Sequence, residues 1–295
     1  MNPGAQRVLL VSPNCSDMAQ PNVELKRFPD GESYCRLKEF SEIPGENISI
    51  VHRLFPHPDE QIIPLLQMMD APRRFAAKSV RVVVPYLPYA RADKVWLSGE
   101  IMSASLLARL LKVSGATELV TWDCHFLKKT GRHNYEALPI VNLSCGGAIV
   151  EYFSKKHPDA LFASPDLGAA YMVGATGKSM KKTRGEYAAG EKAFREIASM
   201  EMEFDVSGKT VVLVDDMIAG GGTMAKAVKK CFDAGAKEVR CGATHGLFVG
   251  GALDKIRDAG AAEIVTSDTV PNSTSKVQIK DEVLKVMKAA EVLQG

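Results

Sequence analysis

The chain has 295 residues, enough for about two domains that each bury a core. Hydrophobic residues make up 46% and charged residues 24%, an ordinary soluble balance, and a formal net charge of +2 lacks the basic excess of a nucleic-acid binder. No apolar run approaches the ~20 residues of a membrane span, and the five-residue run near the N-terminus is too short for an export signal. The expectation is therefore a cytoplasmic protein with neither a membrane nor a nucleic-acid partner.

In chain order, short β-branched runs predict strands at Arg7–Val11, Asn47–His52 and Ser79–Val84. Further strands are predicted at Glu118–Thr121, Leu161–Ser164, Thr210–Val214, Val239–Thr244 and Glu263–Thr266. Between them, amphipathic stretches predict helices at Asp59–Met69, Ile101–Val113, Gly147–Lys156, Thr223–Ala234, Gly251–Ala259 and Asp281–Leu293. This alternation implies an α/β protein with parallel sheets covered by helices. Runs such as VRVVVPY and KTVVLVD suit strands buried on both faces. The stretch between Val11 and Glu24 is too short for a normal first helix.

Three segments repeat a Gly-Ala-x-Glu pattern, at Gly115, Gly235 and Gly260. Each reads as a helix stop followed by a buried strand. The first two lead after ten residues to His125 and His245. Either the pattern is a common helix-to-strand connection or the chain is duplicated. Duplication gives two similar domains, 1–140 and 141–295, with Pro139 and Gly146-Gly147 as boundary punctuation. The six cysteines form no CxxC pair, which argues against zinc and for a reduced setting.

Ligands of open α/β sheets gather at the carboxyl ends of strands. Those ends carry Arg91 and Asp93, Asp123 and His125, Asp166, and Asp215 with Asp216. The sharpest segment runs from Val211 through Asp215-Asp216 to Ala219-Gly220-Gly221-Gly222-Thr223. It reads as buried strand, acidic pair, small-residue loop and helix start. Backbone N–H groups of such a loop approach an anion closely, and the helix adds its positive end. The carboxylates suit sugar hydroxyls or a hard cation. No Lys-Ser/Thr follows the glycines, so this is not a Walker A loop.

This strand–Asp-Asp–loop–Thr arrangement resembles the phosphate-binding motif of type I phosphoribosyltransferases and phosphoribosyl pyrophosphate synthetases. Three further segments resemble the synthetase family: Arg27-Phe28-Pro29-Asp30-Gly31-Glu32, Pro85-Tyr86 through Arg91-Ala92-Asp93-Lys94, and Asp123-Cys124-His125. Ser164-Pro165-Asp166-Leu167-Gly168 and the basic Lys181-Lys182-Thr183-Arg184 segment also match, as does the archaeal-type Thr244-His245-Gly246.

The resemblance implies two phosphoribosyltransferase-type domains, each a mostly parallel sheet flanked by helices. It implies diphosphoryl transfer from ATP to the C1 hydroxyl of ribose 5-phosphate, with Lys182 and Arg184 on the transferred group. Asp215, Asp216, Ala219, Gly220, Gly221, Gly222, Thr223 and Arg184 are expected to hold the sugar phosphate. Phe28, Asp30, Gly31, Glu32, Arg91, Ala92 and Asp93 are expected at ATP, in part across the interface of a homo-oligomer. Mg²⁺ is expected at Asp166 and His125, with Asp123 beside His125 on one side of an extended strand.

The loop departs from the family pattern, because Ala219 and Gly220 stand where Asp or Ser and Thr are usual. The interval from Asp166 to Lys182 is also short. Two other readings compete: a non-catalytic regulatory homologue, and a phosphoribosyltransferase that consumes phosphoribosyl pyrophosphate.

Overall fold

The structure, a computed structural model, describes residues 7–38, 40–175, 177–187 and 195–292; for 182–187 and 195–199 it describes the backbone. The chain divides into two compact units, residues 1–143 with 279–295, and residues 144–278.

The first unit opens with β1 (Val8–Val11) and a three-residue 3₁₀ turn at Pro13–Cys15 in place of a first helix. An antiparallel hairpin follows, β2 (Val23–Arg27) and β3 (Ser33–Leu37). Then come β4 (Asn47–Val51), α1 (Pro58–Arg74), β5 (Ser79–Val83), α2 (Ser103–Val113) and β6 (Glu118–Trp122). A second hairpin, β7 (Gly131–Tyr135) and β8 (Leu138–Leu143), completes a six-stranded sheet of order β1-β4-β5-β6-β8-β7. Every pairing in it is parallel except that of β7 with β8.

The second unit runs α3 (Gly146–Lys156), β9 (Leu161–Ser164), a 3₁₀ helix at Leu167–Val173, and β10 (Lys178–Ser179). A separate antiparallel ribbon follows, β11 (Lys181–Tyr187) with β12 (Arg195–Glu201). Next come β13 (Thr210–Ile218), α4 (Gly222–Asp233), β14 (Glu238–Gly246), α5 (Ala252–Asp258), β15 (Ile264–Ser267) and β16 (Ser275–Val277). Its six-stranded sheet, order β10-β9-β13-β14-β15-β16, is parallel throughout. The seven-residue 3₁₀ helix fits the short interval after Asp166, where a full α-helix could not.

The central strands read as near-continuous apolar runs because helices cover both faces. In β13, Val211 to Val214 are all fully buried. The three Gly-Ala-x-Glu segments close α2, α4 and α5 alike. Gly115, Gly235 and Gly260 take φ of 110°, 86° and 104°. In each, the following alanine N–H bonds a carbonyl five residues back: Ala116 to Leu111, Ala236 to Cys231, Ala261 to Ile256. This is the left-handed cap that glycine adopts without penalty.

The closing helix α6 (Lys280–Lys288) packs with the first unit, where the sequence reading put it in a domain 141–295. The cause is a set of buried donors beneath it. Ser49 Oγ donates to Met287 O at 2.8 Å, and Arg81 donates to the carbonyls of Val286, Ala289 and Ala290 at 2.8, 2.7 and 3.2 Å. No helix among the described residues is long and apolar enough to cross a membrane.

Candidate active site

In the second unit, β9, β13 and β14 are parallel neighbours, so their carboxyl ends lie along one edge of the sheet. That edge carries Asp166, Asp215, Asp216 and His245. The acidic pair lies within β13 rather than after it. The ladder to β14 continues through Met217↔His245 and Ile218↔Gly246, and this holds the pair extended. Asp215 and Asp216 are 7% and 6% exposed. Asp215 accepts from Asp216 N and Asp216 from Met217 N, each at 2.9 Å.

The loop from Ala219 leads into α4 with Gly221 as N-cap at φ 75°. Among the described residues no side-chain hydrogen bond caps α4 at Gly221, whose own residue type offers none. A Cβ on Gly220 or Gly222 would meet nothing within 4 Å, whereas one on Gly221 would lie 2.8 Å from Ala252 O. The loop is thus open on one side and pressed against the start of α5 at Gly221. Thr223, on the first turn of α4, is partly exposed. The arrangement can take an oxyanion on backbone donors, with carboxylates beside it.

Asp166 caps the 3₁₀ helix and accepts from Gly168 N at 2.8 Å. Ser164 Oγ donates to Asp166 O at 2.7 Å and fixes the turn. Next to β13, His245 Nδ1 lies 2.9 Å from Thr269 Oγ1, and Thr269 Oγ1 and Ser267 Oγ donate to Thr244 O at 2.9 and 2.7 Å. This buried hydroxyl network was not singled out in the sequence as a site, because its residues are spread over two strands and a turn. Lys182 and Arg184 lie on β11, opposite Met200 and Ile197, with a register shift at Thr183/Arg184. Their side chains are outside the described residues.

In the first unit, Asp123 and His125 follow β6. Asp123 is fully buried with φ 37°, and its N–H donates to Leu143 O at 2.8 Å. The expected alternation along an extended strand does not hold there, because the chain leaves the strand at Trp122 and turns. Arg91, Ala92 and Asp93 lie in the loop after β5, and Ala92 N donates to Tyr89 O at 2.8 Å. Arg91 is exposed, and Ala92 and Asp93 partly so. Tyr89 donates to Asp59, and burial first, then this bond, pushes the phenol up to about 12.

Phe28, Asp30, Gly31 and Glu32 form the exposed tip of the β2–β3 hairpin. Phe28 N donates to Glu32 O and Gly31 N to Phe28 O, at 2.8 and 2.9 Å. Asp30 accepts from Glu32 N at 3.1 Å. Among the described residues, no group of three or more His, Cys, Asp or Glu side chains forms a metal cage. All six cysteines are free.

Comparison with known proteins gives concordant results. A family profile described as the N-terminal domain of ribose phosphate pyrophosphokinase matches residues 12–115, and a phosphoribosyl synthetase-associated domain matches 177–294. A ribose-phosphate pyrophosphokinase of Thermococcus kodakarensis is 36% identical over 274 residues, covering 90% of this chain and 91% of the relative. That of Pyrococcus abyssi is 34% identical, covering 90% of each. The crystal structure of a phosphoribosylpyrophosphate synthetase from Mycobacterium smegmatis matches with TM-score 0.74 and 25% identity, covering 95% of this chain and 98% of that one. The chain belongs to the ribose-phosphate pyrophosphokinase family.

Proposed function

We propose that this chain is a ribose-phosphate diphosphokinase, converting ATP and ribose 5-phosphate into phosphoribosyl pyrophosphate and AMP. The observation that carries the reading is the β13–α4 connection, which sets open backbone amides next to two buried carboxylates. The 5-phosphate sits on the Ala219–Thr223 loop. Asp215 and Asp216 accept hydrogen bonds from the ribose hydroxyls and so orient the C1 oxygen.

That oxygen attacks the β-phosphorus of ATP. The bond from the β-phosphorus to the bridging oxygen breaks, AMP leaves with the electron pair, and the hydroxyl proton passes to solvent. Lys182 and Arg184 are assigned to the charge on the transferred group, since cations can stabilise it without covalent chemistry.

Arg91 and the Phe28–Glu32 tip are assigned to ATP, the tip serving a neighbouring copy in a homo-oligomer. Exposure of the whole tip suits such a role. Mg²⁺ fits the donor chemistry, because the sheet edge offers carboxylate oxygens, which hard cations prefer. Asp166 would hold it, with His125 and Asp123 assigned to the nucleotide-bound ion; when bound it neutralises phosphate charge. Free thiols and an ATP substrate go with a cytoplasmic setting.

The test is direct. Purified protein with ATP, Mg²⁺ and ribose 5-phosphate should release AMP and phosphoribosyl pyrophosphate in equal amounts, followed by chromatography. Lys182→Ala should lower turnover by about 10²-fold or more with substrate binding retained. Folded protein that forms no AMP would reject the enzyme and favour the regulatory homologue.

A further inference from the structure

The carbonyl of one residue and the N–H of the next share a planar trans unit and point in opposite directions. Three consecutive carbonyls, at the end of β13 and the start of the loop, accept hydrogen bonds from residues 247–255. Ile218 O accepts from Leu247 N and Phe248 N at 3.0 and 3.1 Å, and Ala219 O accepts from Val249 N at 3.0 Å. Gly220 O accepts from Lys255 Nζ at 3.5 Å. The N–H groups of Ala219, Gly220 and Gly221 therefore face away from that segment. None of the three has an acceptor among the described residues.

Two of these grips are backbone, and any sequence could make them. The third is a side chain on α5, whose start is pressed against Gly221. Lys255 is exposed and forms no ion pair among the described residues. The loop itself carries no charged side chain, and of its five residues only Thr223 has a side-chain donor. A phosphate dianion there lacks a cation within the loop.

We infer that Lys255 is a positioning residue for the sugar phosphate, acting through the loop. By holding Gly220 O it turns the Gly221 amide toward the phosphate, and its charge sits behind that peptide unit. The ammonium does not itself touch the ligand, since the carbonyl it holds points away from the amide that does. This inference rests on the assignment of ribose 5-phosphate to the Ala219–Thr223 loop.

The test compares the full-length protein with Lys255→Met, which keeps the stem and removes the charge, and with Lys255→Arg. Ribose 5-phosphate and ATP binding are measured by calorimetry, and KM and kcat by AMP release. Lys255→Met should weaken ribose 5-phosphate binding and raise its KM by about fivefold, as expected for one charge at a helix N-terminal site. ATP affinity and kcat should stay within twofold, and Lys255→Arg should restore the affinity. Equal ribose 5-phosphate affinity in wild type and Lys255→Met would overturn the inference and leave the function standing. So would equal losses for both substrates, which mark a general structural defect. Wild-type protein that binds ATP but no ribose 5-phosphate would overturn both.

Discussion

His52 is a fully buried imidazole at the end of β4. Its Nε2–H donates to Gln61 O at 3.1 Å, while Nδ1 has no partner among the described residues. Burial disfavours the imidazolium and holds its pKa down to about 4, against 6.5 for the free side chain. Above pH 6.5 the ring is neutral folded or unfolded, and its contribution is fully present. As pH falls through 6.5 toward 4 the unfolded chain takes up a proton that the folded protein refuses, and stability is lost. The difference between about 4 folded and 6.5 unfolded corresponds to about 3 kcal/mol at pH 4. Urea unfolding at pH 7.5, 5.5 and 4.5 should show a steeper acid loss in wild type than in His52→Gln. Parallel pH curves would mean that His52 is not the group responsible.

At the scale of elements, the β13–loop–α4 unit was the most legible part of the sequence. Its apolar run, acidic pair and glycines are contiguous, and each signal is local. The sequence reading still ended the strand at Val214, because charged residues look like a strand terminus; the ladder to β14 carries it on to Ile218. The hairpins β2–β3, β7–β8 and the β11–β12 ribbon escaped the reading. β2, β3, β7, β11 and β12 are rich in charged or polar residues, as in GRHNY and REIASME, and each pairs only with its hairpin partner, whereas β8 is buried against β6 but carries Pro139 at its second position. Likewise α1 runs on to Arg74 through Pro64 and Pro72, since its buried face of Leu65, Met68 and Met69 outweighs two lost backbone donors. The grip of residues 247–255 on the loop carbonyls left no trace in composition, because it is mostly backbone.

Gly221 tests this element as a whole. It combines φ 75° with a backbone wall, Ala252 O, 2.8 Å from any added Cβ. Gly221→Ala takes on about 1–2 kcal/mol for the left-handed conformation and must also displace α5 or the loop. The expected result is a loss of roughly 2 kcal/mol in urea stability and clearly weaker ribose 5-phosphate binding, with ATP binding kept. A variant that loses stability but binds the sugar phosphate normally would show that the loop does not hold it.

At the scale of the whole molecule, the chain leaves the first unit after β8 and returns to it with α6. The first unit is therefore built from two stretches of chain that are far apart in sequence. Beneath α6, Arg81 is 3% exposed and bonds Glu118 at 2.6 Å as well as three carbonyls at the helix end. Those carbonyls are the ones an α-helix leaves without partners, and a cation there also meets the negative end of the helix. Trp122 Nε1 donates to Glu282 at 2.5 Å, and Val283, Val286 and Met287 are buried.

Deleting residues 279–295 would expose that apolar face and strand the Arg81 guanidinium, a loss of several kcal/mol. Arg81→Leu removes the charge with its acceptors left behind, for a loss of about 3–5 kcal/mol, and covers the case in which the deletion prevents folding. The chain's two tryptophans, Trp96 and Trp122, both lie in the first unit, so fluorescence follows that unit while circular dichroism follows both. In either variant the fluorescence midpoint should move to lower urea, and a second transition, seen by circular dichroism alone, should stay in place. A fluorescence midpoint that does not move would show that α6 is appended to the first unit rather than part of its core. A common shift of both signals would mean that the two units unfold as one.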